Sequence, residues 1–263
     1  MGELVRQTIR VEWKALLAWS LSTLALIVAI VAFFPTIKGN SGLTGSFDDL
    51  PRSVQSALGI ADLGSAAGYL QGQMFSTLAP LIFLSFAIGR GARAIAGEEE
   101  RGTMDLLLSN PIRRSRVVLE KGAAILVQLV ALAAVVWLAL VVLGPLFDLH
   151  LGVGNVAAAT ASVAALGALY GAIALCLSAA TGRRALSLGI TAGLAGAGYL
   201  YTAIAPFVSS LSDRSGISPF QHGYGYDPLA NGLRWGNFLV LVIAAAVFVA
   251  AAVILFDRRD VRA

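Results

Sequence analysis

The sequence is poor in charged residues, cysteine, lysine and histidine, and each shortage excludes a class of protein. Only 13% of its 263 residues are charged, against about 25% in soluble proteins. The single cysteine, Cys176, rules out an intramolecular disulfide. Mean hydropathy is +0.79 and 57% of the residues are hydrophobic, which is more apolar surface than one globular core buries. We therefore expect most of this chain to lie in lipid.

Six apolar stretches are long enough to cross a bilayer, which requires about 20 residues per helix. We number them spans 1 to 6 and place them at about 16–37, 69–88, 122–143, 156–177, 186–208 and 235–256. The outer loops, 38–68 and 209–234, are too short for a second domain. The sequence thus predicts an all-α polytopic membrane protein in which residues 1–263 form a single transmembrane domain.

The positive charges are distributed unevenly between the two sides of the six spans. Fifteen arginine and lysine residues lie on the side that holds both termini, and four lie on the other. Cytoplasmic loops carry the excess of basic residues, so this distribution predicts that both termini are cytoplasmic. The net charge of +4 therefore reports topology, and we expect no nucleic-acid partner.

The spans as drawn contain no Asp, Glu, Lys, Arg or His. Ion-coupled transporters and proton relays need ionisable groups at membrane depth, so the sequence argues against an internal proton motor. The three lysines also lie outside any G-x-x-x-x-G-K-[ST] pattern, which would bind the phosphates of ATP. His150 and His222 fall in separate outer loops. We therefore expect no enzyme activity, no metal site and no cofactor bound by this chain.

The most informative stretch is the segment between spans 2 and 3, residues 94–116, which reads EEERGTMDLLLSNP from residue 98. Thr103 is a good N-cap residue, and Asp105 would lie in the first helical turn. The residue before Pro111 avoids the helical region. This predicts a short helix whose leucines, 106 to 108, need a partner or the membrane surface to cover them.

The same stretch resembles the signature E-x-E-x-G-T-x-x-x-L-L-x-x-P of permease subunits of type-2 ATP-binding cassette (ABC) exporters. The tail FDRRDV, residues 256–261, resembles the ending of that family, and the first outer loop resembles a bacterial six-span branch of it. The resemblance implies that residues 103–108 form or adjoin a coupling helix that docks on a separate ATPase subunit. Glu98 and Glu100 would pair with Arg93, Arg101 or a basic group of the ATPase. The residues implied in coupling are Glu98, Glu100, Arg101, Gly102, Thr103, Asp105, Leu106, Leu107, Leu108 and Pro111.

The resemblance also implies an assembly of two permease subunits, identical or paralogous, and two ATPases in the plasma membrane of a bacterium or archaeon. ATP and magnesium would bind to the ATPases. The exported substrate would be small and hydrophobic or amphiphilic, and spans 2 and 5 would line its path. The candidate path residues are Gln73, Phe75, Thr77, Tyr199 and Tyr201, with packing inside one subunit as the alternative. A non-transporting membrane scaffold or immunity-type interaction protein of the same fold is the second functional hypothesis.

Four further patterns give structural expectations. Before span 1, Val5, Ile9 and Trp13 share one helical stripe beside a basic one, which predicts an amphipathic helix on the inner leaflet or an extension of span 1. Pro80 predicts a kink in span 2. Two G-x-x-x-G motifs, at 167–171 and 189–193, predict close helix contacts, which we expect within one subunit, with a moving contact that lets a cavity open as the alternative. The segment 209–236 resembles the loop or short re-entrant helices that form an extracellular gate in the family.

Overall fold

The structure is a computed structural model that describes residues 3–38, 65–102, 113–208 and 215–259. Within these ranges all regular secondary structure is helical. Six helices are long and apolar enough to cross a membrane, and they keep the names spans 1 to 6: Val5–Ile37, Ala66–Ala94, Arg114–Phe147, Val153–Thr181, Arg184–Phe207 and Trp235–Arg258. The prediction of an all-α protein with six spans is therefore confirmed.

Most spans consist of one long α-helix, and short helices extend or connect them. The long α-helices are Glu3–Lys38, Ala79–Ala94, Arg114–Leu143, Val153–Thr181, Arg184–Ile204 and Trp235–Arg258. The short α-helices are Ala66–Leu70, Ala96–Glu99, Pro219–Gly223 and Pro228–Asn231. The remaining elements are a π-helix at Gln71–Leu78 and 3-10 turns at Gly144–Phe147, Ala205–Phe207 and Ser215–Ile217.

Span 4 lies at the centre of the helix bundle. Of its most apolar stretch 72% is buried, against 17% for spans 1 and 5 and 11% for span 6. Span 4 is built mostly from alanine, glycine, serine and threonine, and such small side chains let neighbouring helices approach closely. Spans 2, 3 and 6 pack against it. Large apolar faces of spans 1, 5 and 6 consequently remain on the outside of the bundle.

Glycines hold the inner half of span 2 against span 4. Gly91 lies so close to Gly171 that a Cβ at position 91 would collide with the Gly171 carbonyl and lie 2.8 Å from the Ala174 Cβ. One turn earlier on span 4, a Cβ at Gly167 would lie 3.2 Å from the Cβ of Phe83. The contact expected at 167–171 is therefore made within the subunit, between spans 4 and 2.

The second G-x-x-x-G motif behaves differently. A Cβ at Gly189, Gly193 or Gly196 would meet no atom of the described residues within 4 Å. Gly189 and Gly193 therefore lie on a face of span 5 that does not contact the described part of the bundle, and Gly196 borders a groove between spans 5 and 2. The expectation that this motif packs within one subunit is wrong, because span 5 contacts the bundle through its opposite face, which carries the buried Thr191 and Ala195.

The outer half of span 2 is irregular. Residues Gln71–Leu78 form a π-helix in which the Thr77 hydroxyl donates to the Gly72 carbonyl at 3.1 Å. Pro80 lies directly after the π-helix, in the first turn of the α-helix that begins at Ala79, and it lacks the N–H that would continue the hydrogen bonding of the π-helix. The irregularity expected from the proline therefore takes the form of a π-helix that ends just before it.

Span 1 continues without a break from the amino-terminal segment. One helix of 36 residues, Glu3–Lys38, covers both. The expected interfacial helix is therefore not a separate element, and the structure agrees with the alternative, an extension of span 1. Val11 and Trp13 are exposed on this extension, so an apolar surface reaches the end of the bundle that holds both termini. We call that end the inner end.

Two short helices cover the outer end of the bundle between spans 5 and 6. The Ser218 hydroxyl accepts a hydrogen bond from the Phe220 N–H and caps the helix Pro219–Gly223. The Phe220 ring is buried between Tyr170 of span 4 and Tyr199 of span 5, with ring centroids 5.7 and 5.8 Å away. The short helices suggested by the family resemblance are thus present, and their role as a gate stays a prediction.

Replacing Gly91 with alanine is expected to lower the free energy of unfolding by roughly 1–3 kcal/mol, because the added methyl group must push spans 2 and 4 apart. The matched control is Gly193→Ala on span 5, which has open space around it and should not destabilise the protein, because alanine favours a helix interior over glycine by roughly 0.5–1 kcal/mol. Denaturant unfolding of the purified protein in detergent micelles measures both. Equal stability of the two variants would contradict the close contact.

Candidate functional site

The acidic run lies directly after span 2, at the inner end of the bundle. A break at Ile95 leads into the short helix Ala96–Glu99. The buried hydroxyl of Ser178 in span 4 accepts a hydrogen bond from the Ala96 N–H at 2.9 Å and donates to the Ala92 carbonyl at 3.1 Å. One serine of span 4 therefore fixes the chain on both sides of this break.

Each of the three glutamates contacts a different span. Glu98 forms an ion pair with Lys121 of span 3, and Glu99 forms one with Arg259 at the end of span 6. The Glu100 carboxylate accepts a hydrogen bond from the backbone N–H of Arg184, at the start of span 5, at 2.9 Å. The side chains of both ion pairs are between 11% and 21% exposed, so the pairs are largely shielded from water. We call Glu98, Glu99, Glu100 and these three partners the acidic junction.

Arg259 makes the largest number of connections within the junction. Its guanidinium also donates to the carbonyl of Ala179 in span 4 at 2.9 Å. Its own carbonyl accepts a hydrogen bond from the Arg114 side chain, at the start of span 3, at 2.6 Å. A Cβ on Gly182 would collide with the side chains of Glu99 and Arg259, so the end of span 4 fits tightly around this pair. The ends of spans 2, 3, 4 and 6 therefore meet at one residue.

A further ion pair joins span 1 to the same end. Arg90 of span 2 is 5% exposed and pairs with Glu12. Glu12 also accepts a hydrogen bond from the Gln128 side chain of span 3 at 3.1 Å. The Arg90 guanidinium lies 5.0 Å from the centroid of the Phe86 ring, a favourable cation–π geometry. A buried charge needs such partners, and here they connect spans 1, 2 and 3.

The described part of the chain includes four of the residues predicted to act in coupling. Glu98 and Glu100 belong to the acidic junction, whereas Arg101 and Gly102 are exposed beyond it. The other six, Thr103, Asp105, Leu106, Leu107, Leu108 and Pro111, lie outside the described residues.

The partners expected for Glu98 and Glu100 need correction. The side chains of Arg93 and Arg101 donate to backbone carbonyls four residues earlier, at 2.9 and 2.7 Å. Lys121 and the Arg184 N–H hold the two glutamates instead, because these groups stand on helix ends that meet the acidic run.

Sequence reasoning misses four residues of the junction: Glu99, Lys121, Arg184 and Arg259. Glu99 occupies a variable position of the family signature. In the sequence, Lys121 serves only as one of the positive charges that indicate topology. The signal that could have found the pairing is the tail FDRRDV, which contains Arg259. Glu99 and Arg259 are 160 residues apart along the chain, so the fold is needed to bring them together.

A groove of about 530 Å³ opens between spans 2 and 5. Of the predicted path residues, Thr77 and Tyr199 line it. Gln73, Phe75 and Tyr201 do not, because they point in other directions from the same helices, and Phe75 is fully buried in the core. Ser85 is the third hydroxyl-bearing residue of the lining, and the rest of the wall is apolar, with members that include Pro80, Leu84, Ile88, Leu188, Ala192 and Phe220.

Uncharged aromatic residues lie at the outer end of this groove. Tyr224 is 9% exposed and lies beside Phe220, with ring centroids 6.1 Å apart. Burial raises the pKa of the Tyr224 hydroxyl above its ordinary value, and the neighbouring Tyr199 and Tyr170 raise it further. Tyr224 is therefore neutral at physiological pH, and no charge is introduced next to the groove.

Comparison with known proteins agrees with the resemblance in the signature. The sequence profile of a family described as ABC-2 family transporter protein matches residues 6–261, which is nearly the whole chain. None of the curated proteins matches the chain with significant similarity.

Removing one charge from the acidic junction is expected to destabilise the protein. Glu98→Gln leaves the Lys121 side chain, which is 11% exposed, without its carboxylate, and this should cost roughly 3 kcal/mol. Asp257→Asn makes the same chemical change at an exposed position and should cost less than about 0.5 kcal/mol. Denaturant unfolding in detergent micelles compares the two. The double variant Glu98→Gln with Lys121→Met should recover part of the loss, and equal stability of the two single variants would refute the pair.

Proposed function

Because this chain belongs to the ABC-2 family of transporter proteins, we propose that it is the membrane subunit of an ATP-driven exporter and that the acidic junction transmits the motion of its ATPases. The observation that carries this proposal is the way the three consecutive glutamates contact spans 3, 6 and 5. The next residues along the chain, 103–112, include those that match the family signature.

The junction supports this role because its two ion pairs are shielded from water and its contacts are spread over several spans. A force applied to residues after Gly102 would act first on the short helix Ala96–Glu99, and through its carboxylates on spans 3, 5 and 6. Ser178 adds span 4, since it holds the backbone of the same segment. Breaking a shielded ion pair costs several kcal/mol, so these contacts favour joint movement of the helix ends.

The motor lies on another chain in this proposal. The sequence has no G-x-x-x-x-G-K-[ST] pattern, and family members typically depend on a separate ATPase. We propose that two ATPase subunits bind ATP and magnesium and dock on the inner end, which the charge distribution predicts to be cytoplasmic. The membrane would then be the plasma membrane of a bacterium or archaeon.

The groove between spans 2 and 5 favours a small hydrophobic or amphiphilic substrate. Its lining includes no charged side chain, and its volume of about 530 Å³ lies within the usual range for small-molecule sites, about 300–1,000 Å³. Thr77 and Tyr199 supply hydroxyl groups that could accept or donate single hydrogen bonds. A polyanion would find no counter-charge there.

The exposed face of span 5 supports pairing with a second permease subunit. Gly189, Gly193 and Gly196 leave open space on this face, and small residues four apart allow two membrane helices to approach closely. The groove lies at the edge of the same span. A second subunit packed on span 5 would therefore lie next to the proposed substrate path.

Changing Gly102 or Leu107 to arginine is expected to uncouple ATP hydrolysis from transport. A bulky charge would weaken docking of the coupling segment, and a loss of about 1.4 kcal/mol in docking energy corresponds to a tenfold change. The measurement is transport into inside-out vesicles together with ATP hydrolysis, for the permease co-purified with its ATPase.

Gly102→Asn is the matched control, because asparagine tolerates the positive φ of 67° at this position and adds no charge. It should retain coupled transport. Unchanged transport in Gly102→Arg and Leu107→Arg would contradict the assignment. If the permease and its ATPase form a stable complex but neither the wild-type chain nor any variant transports substrate, the result would favour the scaffold hypothesis.

Filling the groove is expected to block substrate while leaving the junction intact. Ala192→Trp places an indole in the groove, whereas Ala197→Trp places one on the same span outside the groove lining. Stimulation of the associated ATPase by a panel of amphiphilic compounds should fall roughly tenfold in the first variant, a loss of about 1.4 kcal/mol in binding, and stay unchanged in the second. Equal stimulation in both variants would show that the groove is not the substrate path.

A further inference from the structure

A polar cavity of about 260 Å³ lies at the inner end, between spans 1, 2, 3 and 5. Five cationic residues line it: Arg90, Arg93, Arg101, Lys121 and Arg184. Three carboxylates, of Glu12, Glu98 and Glu100, line it as well. The cavity therefore carries a net charge of +2, the difference between five cations and three anions.

The carboxylates do not neutralise all of these cations. Glu12 and Glu98 belong to the ion pairs with Arg90 and Lys121, and Glu100 accepts from the backbone N–H of Arg184. In the described ranges no carboxylate lies within 4.0 Å of the guanidinium groups of Arg93, Arg101 and Arg184.

Like charges converge on this cavity. Arg93 is repelled by the positive charges of Arg184 and Arg101, and Arg90 is repelled by Arg93. Arginines gathered in this way on a partly buried surface are unfavourable unless an anion lies among them.

Arg90 provides a second, independent observation. It is 5% exposed, and its Nη2 atom is buried without a hydrogen-bond partner among the described residues. Buried polar groups in folded proteins almost always have a partner, so an unsatisfied guanidinium N–H in a cationic cavity points to an anionic ligand.

We propose that this cavity binds the phosphate group of an anionic lipid headgroup from the inner leaflet. The fork of N–H donors on arginine matches the oxygens of phosphate. Basic pockets between membrane helices on the cytoplasmic side are known to bind anionic headgroups. Beside the cavity, the extension of span 1 exposes Val11 and Trp13 by 73% and 48%, which offers an apolar surface to the acyl chains.

The bound headgroup would also lie next to residues of the acidic junction. Glu98 and Glu100 line the cavity as well as belonging to the junction. A phosphate between Arg90, Arg93 and Arg184 would join spans 2 and 5 by charge and relieve the repulsion among the arginines. This inference goes beyond the proposed function, since a lipid could bind here whether or not the chain transports anything.

The experiment uses the purified full chain in detergent micelles and measures lipid retention by native mass spectrometry. The probes are phosphatidylglycerol, phosphatidylcholine and inorganic phosphate. The test variant is Arg93→Gln with Arg184→Gln, because both side chains are exposed at the cavity. The matched control is Arg6→Gln with Arg10→Gln, which removes two exposed cations of span 1 outside the cavity.

We expect the wild-type chain to retain phosphatidylglycerol in preference to phosphatidylcholine. The test variant should lose about tenfold in this retention for each strong charge-assisted hydrogen bond removed, and the control should keep it. Added phosphatidylglycerol should also raise the unfolding temperature of the wild-type chain, because it binds the folded state. It should not raise the unfolding temperature of the test variant.

Three outcomes would overturn the proposal. If inorganic phosphate raises the unfolding temperature as much as the lipid does and displaces it, the cavity is a site for free phosphate and not for a headgroup. If both double variants lose lipid equally, the attraction is general and the cavity is not a site. If lipid retention is unchanged in the test variant while its affinity for the partner ATPase falls, the arginines are a protein-docking contact.

Discussion

Hydrocarbon does not tolerate an unpaired charge, and this constraint determines where the ionisable side chains of the protein lie. The spans expected from the sequence carry none at membrane depth, and a charge at the bilayer centre would be costly. Charges that the protein does use are therefore gathered at helix ends. At the inner end they are too close together to remain separate, and they form the ion pairs of Glu12 with Arg90, Glu98 with Lys121 and Glu99 with Arg259.

The small residues of span 4 bring the charged ends within reach of each other. Gly91 and Gly171 allow spans 2 and 4 to touch, and Ser178 then holds the turn that follows span 2. With this turn in place, the acidic run points at the ends of spans 3, 5 and 6. Packing in the apolar part of the bundle and ion pairing at its end therefore depend on each other, since a shift of span 2 along span 4 would separate the charges.

The sequence is informative about features that depend on one helix and uninformative about features that depend on two. Span number and helix class follow from hydropathy and are seen in the structure. The pairing of Glu99 with Arg259 requires the knowledge that spans 2 and 6 end side by side around Gly182, and no local pattern contains it. The two G-x-x-x-G motifs show the same limit. Their spacing is identical, yet Gly167 packs against span 2, whereas Gly189 contacts no described residue. Tyr199 lines the groove and Tyr201 does not, because neighbours two apart on a helix point to nearly opposite sides.

Span 2 combines a rigid half with an irregular half, and the groove lies where they meet. From Phe83 to Gly91 the span is locked to span 4 by contacts at glycine, so a displacement of the acidic junction would move this half together with span 4. From Gln71 to Leu78 the span is a π-helix, an irregularity that is frequently found at functional sites. Thr77 and Pro80 line the groove at this boundary. A motion that begins at the junction and is carried rigidly through the inner half would therefore reach the wall of the proposed substrate path.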